Sequence, residues 1–155
     1  MNNSVSEQSA YQRLAALCAQ SEHCRYDLLI KLHRWGLDGD AAESVITRLE
    51  RERFVDDDRY ARAFVHDKVH YAKWGRRKIE QALWQKHVNI TAVQHALDNV
   101  SDADYLAVLR PLIQQKRRTI KAATPYELNQ RLVRFALSRG FTFDLIRQIL
   151  DVDDE

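Results

Sequence analysis

Three stretches of the chain share one spacing, and that spacing limits the fold more than any other feature. Leu28…Gly36-Leu37-Asp38, Ile79…His87-Val88-Asn89 and Leu132…Gly140-Phe141-Thr142 each place a core aliphatic eight positions ahead of a helix end. One apolar plug follows, and then a residue of N-cap type. Gly36 and Gly140 suit the position just past a helix because glycine turns left-handed without a Cβ penalty. Asp38, Asn89 and Thr142 are residue types that cap the next helix. A second pattern recurs at unit openings. Val55-Asp56 with Tyr60 is matched by Val100-Ser101 with Tyr105. Each supplies an apolar residue, a polar N-cap and an aromatic at the fourth helical position, the arrangement of a hydrophobic staple.

Between these markers the apolar residues recur at helical spacing, as in Tyr60, Ala61, Phe64, Val65 and Val69. Nine such stretches are predicted. Only 4 Gly and 2 Pro occur in 155 residues, too few for the many tight turns of a sandwich or barrel. The expected fold is therefore all-α, with three tandem three-helix repeats. Unit 1 spans 1–54, unit 2 spans 55–100 and unit 3 spans 101–155, the last with a basic insert at 110–124. A unit of about 50 residues buries little core alone, so neighbours must pack on each other in an elongated, curved array. Thr124-Pro125-Tyr126-Glu127 reads as a capping box with proline at the first helical position. Pro111 falls inside the seventh helical pattern, where it predicts a kink or a helix start.

Charge is unevenly spread. Residues 1–58 hold 7 basic and 11 acidic side chains, whereas 59–155 hold 17 and 11. Arg59 to His87 has 8 basic and 2 acidic residues, and Arg110 to Arg139 has 8 and 1. Two basic stretches in a near-neutral chain fit a surface that meets a polyanion, and they equally fit a solvated helix face.

Little in the chain points to catalysis or metal binding. Cys18 and Cys24, the only cysteines, match no zinc spacing with His23 and His33, so free thiols in a reducing compartment are expected. His66-Asp67 and His70 echo a zinc-protease helix, but the acid is short and a third ligand is missing. Asp56, Asp57 and Asp58 fall at a helix N-terminus, where exposed carboxylates gain about 0.3–1 kcal/mol each from the helix dipole. Asp56 reads as the cap. Trp35, Trp74 and Trp84 are core candidates first. No apolar run of about 18 residues exists, and residues 1–10 carry no secretory pattern. A cytoplasmic protein without metal or cofactor is expected.

The joint spacing resembles the RecX family, bacterial regulators of the RecA recombinase. The run Phe54-Val55-Asp56-Asp57-Asp58-Arg59-Tyr60-Ala61, then Phe64, Gly75-Arg76-Arg77-Lys78-Ile79 and Leu83 resembles the family's central signature. Cys24-Arg25-Tyr26-Asp27-Leu28…Gly36 resembles its first repeat, and Arg131-Leu132-Val133-Arg134-Phe135…Arg139-Gly140-Phe141 the end of its third. Three positions depart from the family pattern. Arg53 and His87 stand where glycine is usual, and Cys24 where a serine cap is usual.

The resemblance implies a non-enzymatic monomer that lodges in the helical groove of the RecA–DNA filament. It would inhibit recombinase, ATP-hydrolysis and co-protease activities. Its expected partners are the RecA filament and the phosphate backbone of single- and double-stranded DNA, without sequence preference and without a membrane. Candidate contacts are Lys73, Arg76, Arg77, Lys78 and Lys86 in the second unit, and Lys116, Arg117, Arg118 and Lys121 in the third. Three adjacent cations, Arg76 to Lys78, cannot share one helix face. Val55, Asp56, Tyr60, Gly75, Ile79, Gly36 and Gly140 are the structural motif. A helix-turn-helix operator-binding regulator and an α-solenoid adaptor for another acidic protein are the competing readings, and a hydrolase or metalloenzyme ranks last.

Overall fold

The computed structural model describes residues 5–152, and these are helical without a strand. The helices are α1 (Glu7–Gln20), α2 (Arg25–Arg34), α3 (Gly39–Arg51), α4 (Asp57–His70), α5 (Arg76–Gln85), α6 (Ile90–Asp98), α7 (Asp102–Thr119), α8 (Pro125–Ser138) and α9 (Phe143–Ile146). They follow one another as three sets of three. By spatial contact the chain forms two compact units. The first holds the chain through Ala63 together with Leu83–Val93, and the second holds Phe64–Ala82 and the chain from Gln94 onward. Helices α4, α5 and α6 pass from one unit into the other.

In the first unit α1 and α2 both pack on α3. Leu14, Leu28, Leu32, Ile46 and Leu49 are fully buried there. Burying an aliphatic side chain of this size contributes roughly 1.5–3 kcal/mol. In the second unit α7 packs on α8 and α9. Leu109, Leu132, Ala136, Phe141 and Ile146 are buried to 1% exposure or less.

The repeated spacing corresponds to a repeated backbone. Gly36, His87 and Gly140 all take left-handed φ, at 84°, 55° and 95°. At each, the residue's N–H bonds three residues back and the next N–H bonds five back, which is a Schellman motif. The plugs Leu37, Val88 and Phe141 are buried. A fourth copy ends α3 at Arg53, with φ 64°. Two of the four motifs therefore use a residue with a Cβ where glycine is easier, and these are the two family glycine positions from which the chain departs.

The capping expectations hold in part. Asp56 accepts from the Arg59 N–H at 3.1 Å, and Ser101 forms a full capping box with Asp104. Asn89 accepts from Thr91 N–H at 2.8 Å. Asp38 and Thr142 occupy N-cap positions without a side-chain cap bond, and the Asp38 carboxylate turns to the His33 ring instead. Thr124 caps α8 through the Glu127 N–H, but the Glu127 carboxylate reaches the Ala123 N–H rather than closing the box. Cys24 gives α2 no side-chain cap. Asp57 takes that role from a distance, accepting the Arg25 N–H at 2.9 Å.

Pro111 is not a helix start. Helix α7 runs through it without interruption. Tyr105, Leu109 and Ile113 are buried at four-residue spacing on both sides, and that common face holds the helix through the proline. The predicted basic insert is thus the end of α7 and the short link to α8.

Candidate nucleic-acid interface

Helix α5 opens against the end of α8 within the second unit. The Gly75 N–H donates to Arg139 O at 2.8 Å, and the Arg77 N–H to Gly140 O at 3.0 Å. Carbonyls left free at one helix end thereby satisfy N–H groups left free at another, and opposite dipole ends meet. The approach leaves no room for side chains. A Cβ on Gly75 would stand 2.5 Å from Phe141 Cα, and one on Gly140 would stand 2.5 Å from Lys78 N. This crossing fixes where the cations at the start of α5 stand.

Those three cations diverge, as helix geometry requires. Arg76 donates to Gln94 Oε1 at 2.9 Å and Asp98 Oδ1 at 2.8 Å, tying α5 to α6. Lys78 places its Nζ 4.7 Å from the centre of the Trp74 ring. Arg77 is exposed, and its side chain has no partner among the described residues. Lys73 follows α4 in a left-handed conformation and donates to His70 O at 2.5 Å. Lys86 lies in the first unit, bound to both Asp27 oxygens at 3.1 Å.

In the second basic stretch, Lys116, Arg117 and Arg118 form the last turn of α7, where cations complement the helix dipole. Lys116 sits 5.0 Å over the Phe135 ring. Arg117, Arg118 and Lys121 are exposed without a side-chain partner among the described residues. Of the nine candidate cations, Arg76 and Lys86 are neutralised by carboxylates, and Arg77, Arg117, Arg118 and Lys121 are free.

Two cations escaped the sequence reading. Lys68 stands 4.7 Å from the Trp74 ring and 5.3 Å from that of Phe64. Arg139 stands 5.5 Å over Phe135, with its Nε buried and unbonded. A signal was present in the sequence. Phe64/Lys68, Trp74/Lys78 and Phe135/Arg139 are all aromatic–cation pairs four residues apart. Such side chains meet on a helix, as Phe64 and Lys68 do on α4, whereas Trp74 lies just ahead of α5 and meets Lys78 from the link.

Burial lifts the Cys24 thiol to about 11 and also raises Cys18, so neither is a ready nucleophile at neutral pH. Asp57 is likewise raised, first by burial, with the Arg25 N–H and guanidinium opposing. The His66 and His70 rings lie 4.5 Å apart. Among the described residues no group of three His, Cys, Asp or Glu is placed to hold a metal ion.

Comparison with known proteins identifies relatives of this arrangement. Family models described as the second and third three-helix domains of RecX match residues 56–97 and 102–150. The regulatory protein RecX of Vibrio campbellii is 31% identical over 147 residues, covering 95% of this chain and 93% of that protein. The Clostridium botulinum RecX is 30% identical over 122 residues, or 77% of this chain, which spans 57% of that longer relative. A crystal structure of RecX from Lactobacillus salivarius superposes with a TM-score of 0.82 over 93% of this chain and 94% of its own, at 18% identity. A second RecX crystal structure gives 0.86 at 19% identity, over 93% of this chain and 72% of its own. At those identities the structures establish the shared fold.

Proposed function

The chain belongs to the RecX family, and on that premise we propose that it binds the RecA–DNA filament and inhibits it. Occupation of the filament's helical groove would slow DNA-dependent ATP hydrolysis and suppress strand exchange and co-protease activity. The protein acts by binding, as a monomer and without a cofactor. Family membership over two successive three-helix domains carries this reading. The exposed, unpartnered Arg77, Arg117, Arg118 and Lys121 support it, since free cations are what a phosphate backbone or an acidic protein surface recruits. No helix among the described residues is long and apolar enough to cross a membrane. Placement in the cytoplasm, with RecA and the chromosome, belongs to the same proposal.

The test is a titration into RecA–single-strand DNA filaments, with ATP hydrolysis and filament length read together. The protein should depress both at stoichiometric amounts. A folded variant carrying Arg77→Glu, Arg117→Glu, Arg118→Glu and Lys121→Glu should inhibit much less. No effect of the parent protein on either readout would sink the proposal. Full inhibition by the charge-reversed variant would remove these four residues from it.

A further inference from the structure

Four partly buried cations of this protein face carboxylates. Arg25 pairs with Glu43, Arg59 with Glu22, Arg76 with Asp98 and Lys86 with Asp27. Four others, all in the second unit, face aromatic rings instead. Lys68 and Lys78 both approach Trp74 at 4.7 Å, while Lys116 and Arg139 approach Phe135 at 5.0 and 5.5 Å. None of the four pairs with a carboxylate among the described residues. Two of the four, one from each ring, meet by their backbones at the glycine crossing, where Arg139 O accepts from Gly75 and Lys78 adjoins Gly140.

We propose that these four cations form a track for the phosphate backbone of a single nucleic-acid strand, with Trp74 and Phe135 as its supports. A ring holds an ammonium or guanidinium by about 0.5–1 kcal/mol at an exposed site. It fixes the rotamer and leaves the charge intact. Two like charges on one indole lie within twice 4.7 Å of each other, so each pair carries a repulsion that an intervening phosphate would remove. Holding the side chains in place beforehand also lowers the ordering cost of binding.

This deepens the filament reading by naming the surface that meets the strand. It rests on that reading for the presence of DNA, and it is tested without RecA. Full-length protein with Trp35→Phe and Trp84→Phe keeps Trp74 as its one indole. Titration with a single-stranded oligothymidine at several salt concentrations should change the Trp74 emission. Lys68→Gln with Lys78→Gln should abolish that change and reduce the slope of log affinity against log salt by about 1.4, since each single-strand phosphate contact contributes about 0.7. Lys116→Gln with Arg139→Gln should reduce the slope by a similar amount. Circular dichroism confirms that each variant is folded, and Arg139→Lys should restore the slope of the second pair. An unchanged slope in the folded four-site variant would overturn the track. Competition by polyglutamate as effective as that by the oligonucleotide would overturn it in favour of an acidic protein surface. Loss of filament inhibition in the RecA assay with the salt slope intact would instead fall on the filament reading alone.

Discussion

Replacing Gly75 separates close packing from backbone conformation. Gly75 does not adopt the left-handed φ of Gly39 and Gly140, so its side chain is excluded by space alone. An added Cβ would meet Gly140 C and Phe141 Cα at 2.5 Å, and both are backbone atoms that no rotamer change can move. Overpacking a fixed site costs roughly 1–3 kcal/mol and occasionally more. Gly75→Ala is therefore expected to cost about 3 kcal/mol. Gly39→Ala is the internal reference, since its φ is +56° and a Cβ there meets nothing within 4 Å. It should cost about 1 kcal/mol from left-handed strain. Gly140→Ala combines both faults, with φ +95° and Lys78 N at 2.5 Å, and should be the worst of the three.

Gly75 also opens α5, where alanine is a poorer cap than glycine by some tenths of a kcal/mol or more. Gly75→Ser removes that ambiguity, because serine caps well and carries the same Cβ. Urea denaturation followed by far-ultraviolet circular dichroism reads all four variants. In a chain of this size about 1 kcal/mol moves the thermal midpoint by about 2–4 °C. Gly75→Ala should therefore lower it by roughly 6–12 °C. If Gly75→Ser is neutral, or if Gly75→Ala costs no more than Gly39→Ala, the crossing of α5 and α8 is not the tight contact described.

Other perturbations follow from the same geometry. Arg53→Gly should stabilise the protein by about 0.5–1 kcal/mol in urea titration, because glycine relieves the left-handed strain of a Schellman position. His87→Gly should gain less, since the lost ring stacks on Tyr26 at 4.2 Å. A lower urea midpoint for Arg53→Gly would contradict the strain. Arg76→Ala should cost about 1–2 kcal/mol through its bonds to Gln94 and Asp98, while Arg77→Ala beside it should stay within about 0.5 kcal/mol. Burial lifts Cys24 to about 11 and Tyr105 to about 12, from 9.0 and 10.0. The unfolded chain therefore loses those protons first, so the urea midpoint should hold below pH 9 and fall as pH rises from 9 towards 12. A flat profile across that window would refute the burial of both groups.

The fold was legible because its signals are local. Gly36 and Gly140 with their apolar plugs mark helix ends in three-residue words, and Val55-Asp56…Tyr60 marks a start. The structure uses them in those places. Legibility failed where a side chain had a choice of partner. Asp38 is a competent cap type, yet it turns to His33. Asp57 read as a dipole partner of its own helix, yet it also caps α2 across 32 residues of sequence. Pro111 read as a kink or a helix start, yet α7 starts at Asp102 and carries through it on the burial of Leu109 and Ile113. Each depends on tertiary neighbours that no window of the sequence contains.

The candidate site sharpens that distinction. Arg76, Arg77 and Lys78 are equal in a charge count, but successive residues on a helix point about 100° apart. One is consumed by Asp98, one faces Trp74 and one is free. Counting cations in a stretch therefore overstates the surface a ligand meets, and it does not single out contributors such as Lys68 and Arg139. The more informative pattern is a cation four residues after an aromatic, with no acid one helical turn away to claim it. Phe64/Lys68, Trp74/Lys78 and Phe135/Arg139 all have that form. Arg131, by contrast, has Glu127 one turn before it and pairs with it at 2.7 Å. Ring-held cations keep their charge and lose their freedom, which are the two properties a phosphate track requires, whereas carboxylate-held cations lose both. On that ground the unpaired positive charge of the second unit, rather than the chain's net charge of +2, is the quantity that should govern its salt-dependent binding.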